Sequence, residues 1–146
     1  MGIEFPLWLY QAQVVRVIDG DSVVFDIDCG FDIILKNQNT RLDGVDTSET
    51  RGGTPELKKL GILAKEFVVS ILPVGQDVVL RTKLDDKRGK FGRILADVYL
   101  SEGSGVSINT MLLDSHLAVR YQGQSKEEIM QQHLANVEVY KQQGKI

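Results

Sequence analysis

The chain has 146 residues, 42% hydrophobic and 25% charged, which fits one globular domain with its own core and excludes a disordered or fibrous chain. Its formal net charge of −3 argues mildly against nucleic-acid binding, since phosphate binders are often basic overall. The one cysteine, Cys29, excludes an internal disulfide framework, and no apolar run is long enough to span a membrane. Met1 to Tyr10 contains Phe5, Leu7, Trp8 and Leu9 but neither a basic leading segment nor a cleavage site. Residues 1–9 are therefore read as an N-terminal extension in which Phe5 and Trp8 pack the open end of the fold, the alternative being a partner contact. A cytoplasmic protein is expected, or a secreted one if an export signal has been removed.

Gln11 to Ile18 alternates loosely around Val14, Val15 and Val17, and Asp19-Gly20-Asp21 has the composition of a turn. Ser22 to Asp28 places Val23, Phe25 and Ile27 on one face. After a turn at Cys29 to Asp32, a third strand is expected over Ile33 to Val45, completing an antiparallel meander. A polar loop, Asp46 to Gly53, leads to Thr54-Pro55-Glu56, an N-cap followed by proline at the first helical position. Leu57, Leu60, Ala64, Phe67, Val68 and Ile71 recur at helical spacing before Pro73. Val78 to Leu84 and Arg93 to Leu100 read as strands around a basic loop, Asp85 to Gly92. Ser107 to His116 reads as a short helix, and Ser125-x-x-Glu128 is a capping box opening a last helix over residues 125–143. The order βββ-α-ββ-α-α predicts an α+β, mainly β domain over residues 1–146: a five-stranded OB-fold barrel with three helices. A fold of this kind does not by itself establish an activity.

Charge is uneven along the chain. Arg81, Lys83, Lys87, Arg88, Lys90 and Arg93 cluster against only Asp85 and Asp86, whereas acidic residues gather at Asp19 to Asp32 and Asp43 to Glu49. Hydrolysis of a phosphodiester needs neutralisation of the phosphate, a positioned water and stabilisation of transition-state charge. A hard cation on carboxylates, a further carboxylate and arginine forks meet those needs. Asp21, Arg41, Asp46, Glu49 and Arg93 form such a set. Singly, each has a plainer reading: Asp19-Gly20-Asp21 as a turn, Asp46-x-x-Glu49 as a cap, the arginines as solvated strand residues. Arg41 and Asp46 would lie roughly 16 Å apart on an extended strand, so an irregularity, for which Gly44 is the candidate, is needed to bring them together. His116 and His133 lack metal-ligand spacing and read as structural or surface histidines.

Three segments carry a family likeness: Val17-Ile18-Asp19-Gly20-Asp21-Ser22-Val23, Arg41-Leu42-Asp43-Gly44-Val45-Asp46-Thr47-Ser48-Glu49 and Lys90-Phe91-Gly92-Arg93-Ile94-Leu95-Ala96. In this order they resemble the signature stretches of the staphylococcal nuclease (thermonuclease-like) family, with the likeness running from about Val14 to Tyr121. The resemblance implies a Ca²⁺ ion held by Asp21, Asp46 and the backbone carbonyl of Thr47. It implies that Glu49 positions or activates the attacking water and that Arg41 and Arg93 bind the scissile phosphate, Arg93 toward the leaving group. Tyr121 resembles a tyrosine that flanks the nucleotide in relatives, the plainer reading being a partly buried tyrosine packed beside the last helix. Lys90 is a candidate phosphate contact, the plainer reading being a solvated lysine. The implied activity is that of a monomeric, calcium-dependent hydrolase of DNA, RNA or both, leaving 3′-phosphates. The alternative is a catalytically inactive relative that binds nucleic acid or protein. Ser48 stands where relatives usually have proline, which implies a looser loop.

Overall fold

The computed structural model describes residues 8–83, 93–101 and 103–146. In chain order its elements are β1 (Leu9–Asp19), β2 (Ser22–Asp28), β3 (Ile34–Leu42), β4 (Val45–Asp46), α1 (Pro55–Ile71), β5 (Asp77–Lys83), β6 (Ile94–Tyr99), α2 (Ile108–Asp114), β7 (Val119–Arg120) and α3 (Lys126–Gln142). The strands β1-β2-β3-β6-β5 close into a barrel in that spatial order, and β4 pairs with β7 in a separate two-stranded sheet. Every barrel pairing is antiparallel except β3 with β6. A parallel pair cannot be joined by a tight hairpin, and here α1 and β5 supply the crossover. The expected five-stranded barrel with helices is thus the observed fold. Among the described residues no helix is long and apolar enough to cross a membrane.

The alternation in β2 places Val23, Phe25 and Ile27 in the core, where they meet Val14, Leu42, Leu80 and Val98 from neighbouring strands. Helix α1 starts where its sequence says it should: Thr54 Oγ1 accepts the Leu57 N–H at 3.3 Å, and Pro55 occupies the first turn. Its buried residues Leu57, Leu60, Gly61, Ala64 and Val68 form one stripe. Gly61 is required by close approach. A Cβ there would lie 2.5 Å from the carbonyl oxygens of both Ser48 and Glu49. Gly20 likewise backs onto Ala64 and Thr47, where a Cβ would fall 2.9 Å from either side chain. The helix therefore lies directly against the β1–β2 turn and the loop after β4.

The third strand is shorter than expected. It ends at Leu42, and Asp43–Gly44 forms a turn with Gly44 at φ +73°. The turn at Gly44 reverses the chain, so the apolar pattern through Val45 does not continue as β3. Val45 and Asp46 pair instead with Arg120 and Val119. Trp8, expected to pack, is 63% exposed. It stands at φ 65°, one residue before β1, and its carbonyl oxygen accepts the Thr82 N–H. That contact fixes the backbone and leaves the indole outside the barrel. Phe5, Lys90 and the basic loop Asp85 to Gly92 lie outside the described residues.

Strand β6 meets β3 only over Ile94 to Ala96, opposite Thr40 to Leu42. Beyond that, buried Asn109 at the start of α2 takes the place of a strand. Its Oδ1 accepts the Val98 N–H at 3.1 Å, and its Nδ2 donates to Ala96 O at 3.1 Å and Asp43 O at 2.9 Å. One side chain thus satisfies the barrel edge and pins the Asp43–Gly44 turn.

Asn109→Ala should lower stability by about 1–3 kcal/mol, because it leaves buried backbone groups unpaired; urea unfolding monitored by circular dichroism checks this. Gly61→Ala should cost a similar ~1–3 kcal/mol through overpacking against fixed backbone, and a stability equal to that of the unaltered chain would contradict the close approach.

Candidate functional site

The turn between β1 and β2 delivers Asp21, the end of β3 delivers Arg41, and β4 delivers Asp46. The register places Ser22 opposite Arg41, and the Leu42 N–H donates to Asp21 O at 2.9 Å, so the first two residues are neighbours by strand pairing. The turn at Gly44 then folds the chain back. Arg41 Nη2 reaches Asp46 Oδ1 at 3.1 Å and Val45 O at 3.3 Å, while Nη1 lies 3.6 Å from Asp21 Oδ2. Pairing of β4 with β7, together with the Tyr121 N–H donating to Gly44 O at 2.8 Å, holds this returned segment.

Asp21 is 8% exposed. Its Oδ2 accepts the Thr47 N–H at 3.2 Å and its Oδ1 accepts the Ser22 hydroxyl at 3.2 Å. Burial pushes its carboxyl above the usual carboxylate range, with the Asp46 charge adding to the rise, against the opposing pull of Arg41 and the Thr47 N–H. Burial also pushes Asp46 upward, but hydrogen bonds and charge from His133 and Arg41 outweigh it and hold Asp46 below its usual range. Two neighbouring carboxylates therefore sit in contrasting environments around one guanidinium.

The remaining expected residues are distributed around this cluster. Thr47 is buried, and its backbone is tied to Asp21. Ser48 is buried too, its hydroxyl donating to Leu57 O at 2.7 Å, so a bond to α1 anchors the loop that lacks proline. Glu49 is exposed, and among the described residues its side chain makes no hydrogen bond or ion pair. Its backbone rests on Gly61. Arg93 is half-buried, just ahead of Ile94, the residue that pairs with Thr40 at the Arg41 end of β3. Tyr121 is exposed, with the Arg41 guanidinium carbon 5.5 Å from its ring centroid, within cation–π range. Asp43, which adds negative charge nearby, is paired with Lys83 at 2.6 Å.

One contact was not legible in the sequence. His133, in α3, places Nε2 2.8 Å from Asp46 Oδ2 across 87 residues of chain. The one available signal was a histidine on the buried stripe His133, Val137 and Tyr140. Spacing alone could not say what the ring would meet.

The donors that meet here, the Asp21 and Asp46 carboxylates, are hard oxygens, the chemistry that suits Ca²⁺ or Mg²⁺. Among the described residues no group of three or more His, Cys, Asp or Glu side chains is placed to hold a metal. A cation here needs carbonyl, water or substrate oxygens to complete its shell, which is usual for such ions. Its charge would relieve the repulsion and the burial penalty felt by Asp21. The residues fit a hard divalent cation on that ground.

Residues 39–145 match the family model described as staphylococcal nuclease homologue, a span that holds Arg41, Asp46, Thr47, Glu49, Arg93 and Tyr121. The thermonuclease of Staphylococcus hyicus is 37% identical over 90 residues, which take in 62% of this chain and 48% of that protein. The chain thus spans about half the length of the curated relative it matches. With the family model matched over most of its length and the barrel closed as that likeness implies, the chain belongs to the staphylococcal nuclease family.

Proposed function

We propose that this chain is a calcium-dependent nuclease that hydrolyses phosphodiester bonds of DNA, RNA or both and leaves 3′-phosphates. The observation that carries the reading is the meeting of Asp21, Arg41 and Asp46, from three separate segments, at one end of a barrel. A small acidic domain has no structural need for two adjacent carboxylates on one half-buried guanidinium. A phosphate-cleaving site has a use for each.

Asp21 and Asp46, with the Thr47 carbonyl, are the residues that would hold Ca²⁺; when bound, the ion neutralises charge on the phosphate oxygens. Arg41 presents a planar fork that suits carboxylate and phosphate oxygens alike. In the structure it engages the two aspartates, and the same fork serves the scissile phosphate beside them. Glu49 is exposed and unengaged among the described residues, which suits a carboxylate that takes a proton from water. Attack of that water on phosphorus breaks the bond to the 5′ oxygen, which leaves as a hydroxyl protonated from solvent. The 3′ side keeps the phosphate. Arg93 stabilises charge on the departing oxygen, and Tyr121 offers a ring face for a base next to the Arg41-bound phosphate.

Incubation with single-stranded DNA or RNA should give products ending in 3′-phosphate when Ca²⁺ is present and none when it is chelated. Equal absence of cleavage in both conditions would overturn the enzymatic reading. Tight, salt-sensitive binding without products would mark a binding module instead. Glu49→Gln should lower kcat by about 10²–10⁴-fold, the usual worth of a general base, with nucleic-acid binding retained. Arg93→Ala should lower kcat by roughly 10²–10³-fold, as loss of a transition-state donor does, and unchanged turnover in either variant would remove that residue from the mechanism.

A further inference from the structure

The buried residues of α3 are His133, Val137 and Tyr140, a stripe at helical spacing against the barrel. A position on such a stripe is ordinarily filled by an apolar side chain. His133 is 4% exposed, and its Nδ1 is buried without a hydrogen-bond partner among the described residues. An orphaned nitrogen of this kind costs stability, whereas a leucine would seat the helix without one. Packing alone therefore does not account for the histidine. Its polar contact does: Nε2 lies 2.8 Å from Asp46 Oδ2. An ionised carboxylate only accepts hydrogen bonds, so Nε2 carries the hydrogen and donates.

This contact gives the two oxygens of Asp46 different roles. Oδ2 is taken by His133, while Oδ1 faces Arg41 Nη2 at 3.1 Å. The same guanidinium touches Asp21, so Oδ1 is the oxygen turned toward the second carboxylate. The helix that carries His133 is itself fixed in place. Lys141 pairs with Glu56 of α1 at 2.8 Å, and Asn136 Nδ2 donates to Ala118 O at 3.2 Å. Ala118 precedes Val119, the residue paired with Asp46, so one segment seats both partners.

We propose that His133 is a positioning residue: it holds Asp46 by Oδ2 and thereby makes Asp46 a one-oxygen ligand, through Oδ1, to a hard divalent cation shared with Asp21. This role rests on the calcium reading given above. It makes the C-terminal helix part of the metal site, through a neighbour of the ligand.

The test is calorimetric titration of Ca²⁺ alone into the full chain, with folding checked by circular dichroism. His133→Phe or His133→Leu, whichever folds, should weaken Ca²⁺ binding by about 10–100-fold, the usual effect of removing a ligand's outer partner. His133→Gln, which restores a donor of similar reach, should recover most of that loss. Val137→Ala loosens the same stripe without removing a polar group and should bind Ca²⁺ as the unaltered chain does. Unchanged affinity in the donor-free variant overturns the proposal, and so does an equal loss in Val137→Ala. If the unaltered chain takes up no Ca²⁺, the calcium reading fails first, and the positioning role falls with it.

Discussion

Two carboxylates brought within reach of one another repel, and at this end of the barrel the Arg41 guanidinium stands between them. Removing such groups from water carries a penalty that only a partner of opposite charge offsets. Asp21 shows the strain of this arrangement, its carboxyl raised by burial and by Asp46, while Asp46 is held down by His133 and Arg41. The cluster consequently keeps a guanidinium between the aspartates, and under the proposed reading a metal ion would compete with it for the same oxygens.

Backbone geometry delivers these charges. Asp21 and Arg41 are brought side by side by pairing of β2 with β3, which needs only regular strands. Asp46 arrives because the chain turns at Gly44 and is then gripped by the short β7. That turn is secured from behind by Asn109, whose side chain bonds Asp43 O while it satisfies the edge of β6. Barrel closure and placement of the site thus depend on the same amide. Helix α1 contributes through what it lacks: without a Cβ at Gly61, the loop bearing Thr47 and Glu49 can lie directly on the helix.

The site has a fixed side and an open side. Asp21, Thr47, Ser48 and His133 are buried and bonded to neighbouring elements. Glu49 and Tyr121 are exposed. Under the proposed reading, the residues that would hold the ion gain from rigidity and partial desolvation, and those that would meet water and nucleotide need access.

Much of this was legible in the chain itself. Alternation of Val23, Phe25 and Ile27, the Thr54-Pro55 start of α1 and the Ser125 cap of α3 are local signals, and each element formed where its pattern placed it. Asp21, Arg41 and Asp46, which meet in the structure, were also singled out, as was the need for an irregularity at Gly44. Other features belong to the tertiary structure. Strands β4 and β7 have two residues each, too short to show any period. The exposure of Trp8 follows from where β1 begins, which composition does not express. His133 read as a structural or surface histidine because spacing along a helix does not report what lies opposite a side chain. Local sequence determined the elements and the kinds of chemical group available. Only the closing of the barrel, with α3 docked against it, decided that a histidine would meet an aspartate 87 residues away, because that contact is set by packing between elements and leaves no periodic trace along the chain.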